Sequence, residues 1–113
     1  MNGHEGETQT EERAARNEVV FREANEKLGE KRQELDIGGL TPFLCECSDR
    51  SCTKLVRLSF EQYEHVRGHA TWFIHAPGHN SGEERPIEDH DGYLIVEKLG
   101  LARRIAEAEN PRR

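Results

Sequence analysis

From Ala14 to Leu35, apolar and small residues recur at three- and four-residue steps. Ala14, Asn17, Phe21, Ala24, Leu28, Lys31 and Leu35 share one stripe, the period of an α-helix. Asn17 and Lys31 interrupt it, so the stripe is thin. Alanine, Glu, Arg and Lys dominate the segment, all good helix formers. Thr8-Gln9-Thr10-Glu11 reads as a capping box and Gly38-Gly39 as a stop, which predicts a helix from about Gln9 to Leu35 or Asp36. Residues 1–8 show no apolar period and are expected to form a disordered tail.

After Gly39 the period shortens. Pro42 has no N–H to donate, which places the start of a strand at Phe43 and its end near Cys47. Ser48-Asp49-Arg50-Ser51 is a polar reversal, and Thr53 to Leu58 a returning strand. Ser59-Phe60-Glu61-Gln62 is a second capping box, flanked by Leu58 and Tyr63 at the positions of a hydrophobic staple. It predicts a helix from Phe60 to Arg67, stopped at Gly68. Thr71 to Ala76 is rich in strand formers and runs into the turn dipeptide Pro77-Gly78. Residues 80–84 read as an exposed loop, and a further strand is expected from Ile87, after Pro86. Asp91-Gly92 marks a hairpin, Tyr93 to Val96 a central strand, and Leu101 to Ala108 a last short helix, with residues 110–113 fraying.

The predicted class is therefore α+β. A long N-terminal helix within residues 9–38 precedes a small antiparallel sheet with one or two short helices in residues 42–109. Composition then raises a difficulty. Of 113 residues, 34% are hydrophobic and 34% charged, with a mean hydropathy of −0.90, so apolar burial alone supports only a marginal core. Chains this short of core often recruit a structural metal or disulfides.

The three cysteines fall within eight residues, as Cys45, Cys47 and Cys52 in a C-x-C-x4-C pattern. An odd count suits a metal site better than a closed disulfide framework. Residues two apart on a strand face the same side, so the Cys45 and Cys47 thiolates converge, and the polar reversal returns Cys52 to them. Such a set matches a Zn2+ knuckle, with an imidazole as fourth ligand. His79, aimed by the Pro77-Gly78 turn, is the candidate. His65 and His69 fall on or just past the capped helix, His75 within a strand and His90 at a hairpin shoulder. Glu46, between two ligands, should face the other way. Inert buried thiols, a Cys47–Cys52 disulfide, and iron–sulfur or redox chemistry are the competing readings.

The segments Phe43-Leu44-Cys45-Glu46-Cys47…Cys52, Ala76-Pro77-Gly78-His79 and His90-Asp91-Gly92-Tyr93-Leu94-Ile95-Val96-Glu97-Lys98 resemble a group of short, mostly uncharacterised bacterial proteins, chiefly actinobacterial. Ala15-Arg16-Asn17-Glu18…Phe21-Arg22-Glu23…Asn25-Glu26 is similar to that group's N-terminal segment. The resemblance covers about residues 14 to 100. It implies one shared scaffold for the cysteines and the Pro-Gly-His turn, and it supplies no activity.

No nucleophile motif, phosphate-cradling loop or dinucleotide fingerprint is present, which points away from an enzyme. The leading expectation is a zinc-stabilised binding module that recognises another protein. Asn17, Val20 and Phe21 are the candidate partner surface, and a homodimer through the same helix is open. A zinc-thiolate redox sensor that releases a partner on oxidation is the alternative. A metal hydrolase built on His79, His75, His90 and Asp89 or Asp91 is a lesser one. A nucleic-acid role through Arg16, Arg22 and Trp72 is disfavoured, because the net charge is −6 and no basic stripe is present. The sequence shows no signal peptide and no apolar run of about 20 residues, so no membrane role and a cytoplasmic location are expected.

Overall fold

The computed structural model describes residues 10–79 and 83–112. It is an α+β fold. Helix α1 (Glu11–Glu34) leads into the short strands β1 (Thr41–Leu44) and β2 (Leu55–Leu58), then helix α2 (Phe60–Arg67). Strands β3 (Trp72–His75), β4 (Glu84–His90) and β5 (Tyr93–Lys98) follow, and helix α3 (Gly100–Ala108) closes the chain. The expected single sheet is two: an antiparallel pair β1-β2, and an antiparallel three-stranded sheet in the order β3-β5-β4 with β5 at its centre.

Local signals set most boundaries. Thr10 caps α1 by accepting from the Arg13 N–H at 3.1 Å; the Thr8 of the expected capping box lies outside the described residues. The Ser59/Gln62 capping box forms in full, and α2 runs over the expected span. Strand β1 begins at Thr41, earlier than Pro42 suggested. Pro42 is tolerated because β1 has one hydrogen-bonded neighbour and the missing N–H leaves no gap in an interior ladder. Strand β4 likewise starts at Glu84 and carries Pro86 on the sheet's outer strand, beside an irregularity in register between Pro86 and Glu88. Gly92 turns the β4–β5 hairpin at φ +91°, a conformation that favours glycine.

The main core gathers Phe43, Val56, Leu58, Tyr63, Val66, Ile74, Tyr93 and Ile95 between the sheets and α2. Phe43 and Tyr63 stack with ring centroids 4.2 Å apart. A smaller cluster of Phe73, Val96 and Ala106, with Val19 against it, fastens α3 and α1 to the back of the three-stranded sheet.

Helix α1 docks on a face other than the stripe its hydrophobicity suggested. Ala15, Glu18, Arg22, Asn25, Glu26 and Gly29 are buried, whereas Ala24, Lys31 and Leu35 are exposed. Most of the buried face is polar, so a pattern of apolar spacing could not find it. Each of its polar residues has a partner. Arg22 donates to the Ala70 and Ala106 carbonyls at 2.7 and 3.0 Å and lies over the Phe73 ring. Burial, followed by the nearby Arg67 guanidinium, lowers its pKa to about 10. Glu18 accepts from Lys98 at 2.8 Å. Glu26 accepts from Arg67 at 2.6 Å and from Arg112 at 2.7–3.2 Å. Arg112 also pairs with Glu64, and Asn110 with Arg67, so this segment is tied to α1 and α2 where fraying was expected.

Removing one member of such a pair strands its partner away from water. Glu26→Ala leaves the buried Arg67 without its carboxylate and is expected to cost about 3–5 kcal/mol in chemical denaturation. His75 provides a pH signature. Fully buried, with Nδ1 3.6 Å from Glu84, it has a pKa lowered to about 3, by burial first and then by the Lys98 ammonium. Below the unfolded value of about 6.5 the unfolded chain binds the proton and the folded one does not. Stability should therefore fall as pH drops through that window, by up to about 1.4 kcal/mol per unit from this group. His75→Gln should flatten the decline in denaturation midpoints recorded between those pH values.

Candidate metal centre

The centre is built where β1 runs out of partners. The Cys45 N–H still bonds the Lys54 carbonyl at 3.1 Å, extending the β1–β2 ladder by one residue. Glu46 then leaves that ladder for β3: its N–H bonds the Ile74 carbonyl at 2.8 Å. The alternation of the extended chain places Cys45 and Cys47 on one side and Glu46 on the other. Asp49 folds the reversal, its carboxylate accepting from the Ser51 N–H at 2.9 Å and hydroxyl at 2.7 Å. The Cys52 N–H bonds the Asp49 carbonyl at 3.0 Å, which returns the third thiol. On the other wall, Gly78 at φ +83° turns the chain after β3, and the His79 N–H closes that turn on the Ala76 carbonyl at 3.1 Å.

These segments meet. One ligand atom from each of Cys45, Cys47, Cys52 and His79 lies within 4.8 Å of the other three, so the four residues could hold a metal ion. His79 Nδ1 is 3.7 Å from Cys45 Sγ and 3.4 Å from Cys52 Sγ. Ligands at about 2.3 Å (sulfur) and 2.0–2.1 Å (nitrogen) from a tetrahedral ion would be about 3.6 Å apart, so the spacing fits. All three cysteines are free thiols, Cys45 and Cys47 buried and Cys52 half-buried. Burial, and then the neighbouring thiols, push the Cys45 pKa well above the ordinary thiol value; burial also raises that of Cys47. Several buried thiolates so close together require a cation to offset their charge. The Ala76 N–H already points at Cys45 Sγ, at 3.1 Å, as a donor that would favour the thiolate.

The surrounding hydrogen bonds were not foreseen, and they join the centre to α1. Glu46, wholly buried, accepts from the Asn25 side chain at 2.8 Å and from the Ile74 N–H at 3.0 Å. Asn25 also bonds the Leu44 carbonyl and N–H, at 2.9 and 2.8 Å. Asn17 donates to the Ser48 carbonyl at 3.1 Å. Burial raises the Glu46 pKa to about 7, against the pull of the two donors. The sequence signal for this role was slight: a carboxylate between two candidate ligands, and asparagines inside a helix that does not favour them.

The other candidates sit elsewhere. Val20 is 61% exposed on α1, while Phe21 is half-buried. Arg22 is buried and engaged within the fold, so it is not available to nucleic acid. His90 pairs with Glu88 at 2.6 Å, as does His65 at 2.9 Å, and Asp89 and Asp91 are exposed. A second group, Glu18, His75 and Glu84, has ligand atoms equally close together, but the Lys98 ammonium bonds both carboxylates. No protein-family model, curated protein or solved structure matches the chain.

Glu46→Gln places an amide N–H2 against donors where a carboxylate accepted. A loss of about 1–3 kcal/mol is expected in urea denaturation at constant metal, with little change in far-ultraviolet circular dichroism.

Proposed function

We propose that this chain is a zinc-stabilised binding module, in which Zn2+ held by Cys45, Cys47, Cys52 and His79 fixes a small scaffold that recognises another protein. The observation that carries the reading is the convergence of three thiols and one imidazole within 4.8 Å. A thiolate-rich set with four protein ligands is the pattern of structural zinc, whereas catalytic zinc keeps a position open for water. The role of the ion is cohesion. It neutralises the thiolates and ties the β1–β2 loop to the turn after β3. On this reading the module works by binding and performs no chemistry of its own, and the exposed Val20 with Phe21 is one candidate contact for a partner or a second copy.

A redox-responsive form of the same module is the second reading. It is favoured by the half-buried Cys52 beside two buried thiols, which leaves one sulfur open to oxidants. Oxidation there would release the ion and loosen the Asn17 and Asn25 contacts of α1.

Metal content of purified protein, measured by plasma mass spectrometry, tests the first reading. Near-stoichiometric zinc is expected, lost in Cys45→Ser and Cys47→Ser and weakened in His79→Ala. Chelation at neutral pH should lower the melting temperature by many degrees, because structural zinc contributes on the order of 10 kcal/mol to folding. Metal-free protein with an unchanged melting temperature would overturn it. Zinc release by low peroxide well before unfolding would favour the redox form, and retention until unfolding would reject it.

A further inference from the structure

The groove between the C-terminal half of α1 and the start of α2 is lined by none of Cys45, Cys47, Cys52, His79 and Val20. Two adjoining cavities, of about 260 and 190 Å³, share Gly29, Gln33 and Phe60. Gly29 and the stacked Phe43 and Tyr63 rings lie beneath the groove, and the larger cavity is mainly apolar while the smaller is mixed. Phe60 stands at the rim, 36% exposed, and Ile37 beside it is 46% exposed.

Gly29 is informative. A β-carbon there would meet the Phe43 ring at 3.7 Å, an ordinary contact, so packing does not demand glycine. Inside a helix glycine costs about 1 kcal/mol relative to alanine. What glycine does provide is open space above the two rings.

The walls are acidic on balance: Glu26, Glu30 and Glu64 line the larger cavity with Arg112, and Asp36 and Glu61 the smaller with Arg32. Arg112 already sits at one end of the larger cavity, its guanidinium donating to both Glu26 and Glu64. Two of the wall carboxylates thus already hold a guanidinium of the chain itself. Glu30 and Glu61 have no ion-pair partner among the described residues.

We infer that this groove is the docking site for a basic amphipathic segment of a partner polypeptide. An apolar side chain of that segment would sit over Gly29 and against Phe60, with its lysine or arginine neighbours on Glu30 and Glu61. Charge complementarity selects a cationic segment, and the mainly apolar larger cavity distinguishes it from a merely basic one. The inference deepens the binding-module reading and rests on it, but it does not depend on which metal is bound.

The test uses the full chain and a short fluorescein-labelled peptide of leucine, lysine and arginine patterned as an amphipathic helix, read by fluorescence anisotropy. Saturable binding is expected, weakened about tenfold or more by Glu30→Lys with Glu61→Lys and by Gly29→Leu. A matched charge reversal at the remote Glu11, Glu11→Lys, should leave it within twofold. A peptide of the same composition without an apolar face should bind at least about tenfold more weakly. Absence of binding, equal binding by the groove variants, equal loss in Glu11→Lys or equal binding of the second peptide would each overturn the inference. So would a dimer in sedimentation that Gly29→Leu abolishes, since the occupant would then be a second copy. Circular dichroism melts and zinc content measured on every variant separate failure of the groove from failure of the module itself.

Discussion

Charge that has been taken out of water must be matched, and in this small protein that constraint shapes both the fold and the candidate centre. The buried face of α1 carries Glu18, Arg22, Asn25 and Glu26, residues that would each cost several kcal/mol if buried alone. Every one is met by an oppositely charged group, a carbonyl or an amide from another element. The cysteine loop is subject to the same rule. Burial favours the neutral form of the Cys45 and Cys47 thiols, and their deprotonation beside one imidazole would create charge that a bound metal ion would offset.

The two halves of that arrangement are connected. Asn25 bonds both edges of Leu44 and the carboxylate of Glu46, and Asn17 holds Ser48, so α1 grips the loop on either side of Cys47. Glu46 in turn grips β3. A change in the loop would therefore be felt directly by α1, through geometry-dependent hydrogen bonds rather than through apolar contact that tolerates sliding. This is the physical basis on which the proposed module could be rigid when loaded with metal and looser without it.

The sequence was most informative where local chemistry decides structure. The Ser59/Gln62 box fixed α2, Asp91-Gly92 fixed its hairpin, and Pro77-Gly78 placed His79 beside the cysteines, so the four-residue cluster was legible from spacing and turn type. It was least informative where pairing between distant residues decides. The docking face of α1 depends on Lys98, Arg67 and Ala106, up to 84 positions away, and no periodicity in the helix itself encodes them. Pro42 and Pro86 were read as barriers, yet both lie within outer strands, because the position of a strand in its sheet is a tertiary property. Arg112 looked like part of a fraying end for the same reason: its partners, Glu26 and Glu64, are remote in sequence.

X-ray absorption at the zinc edge of the purified, zinc-loaded protein addresses the central claim most directly. A first shell of three sulfur atoms at about 2.3 Å and one nitrogen at about 2.0–2.1 Å is expected, with the nitrogen replaced in His79→Ala. A shell of oxygen and nitrogen alone, or a sulfur count unchanged in Cys52→Ser, would contradict the assignment of these four residues as one centre.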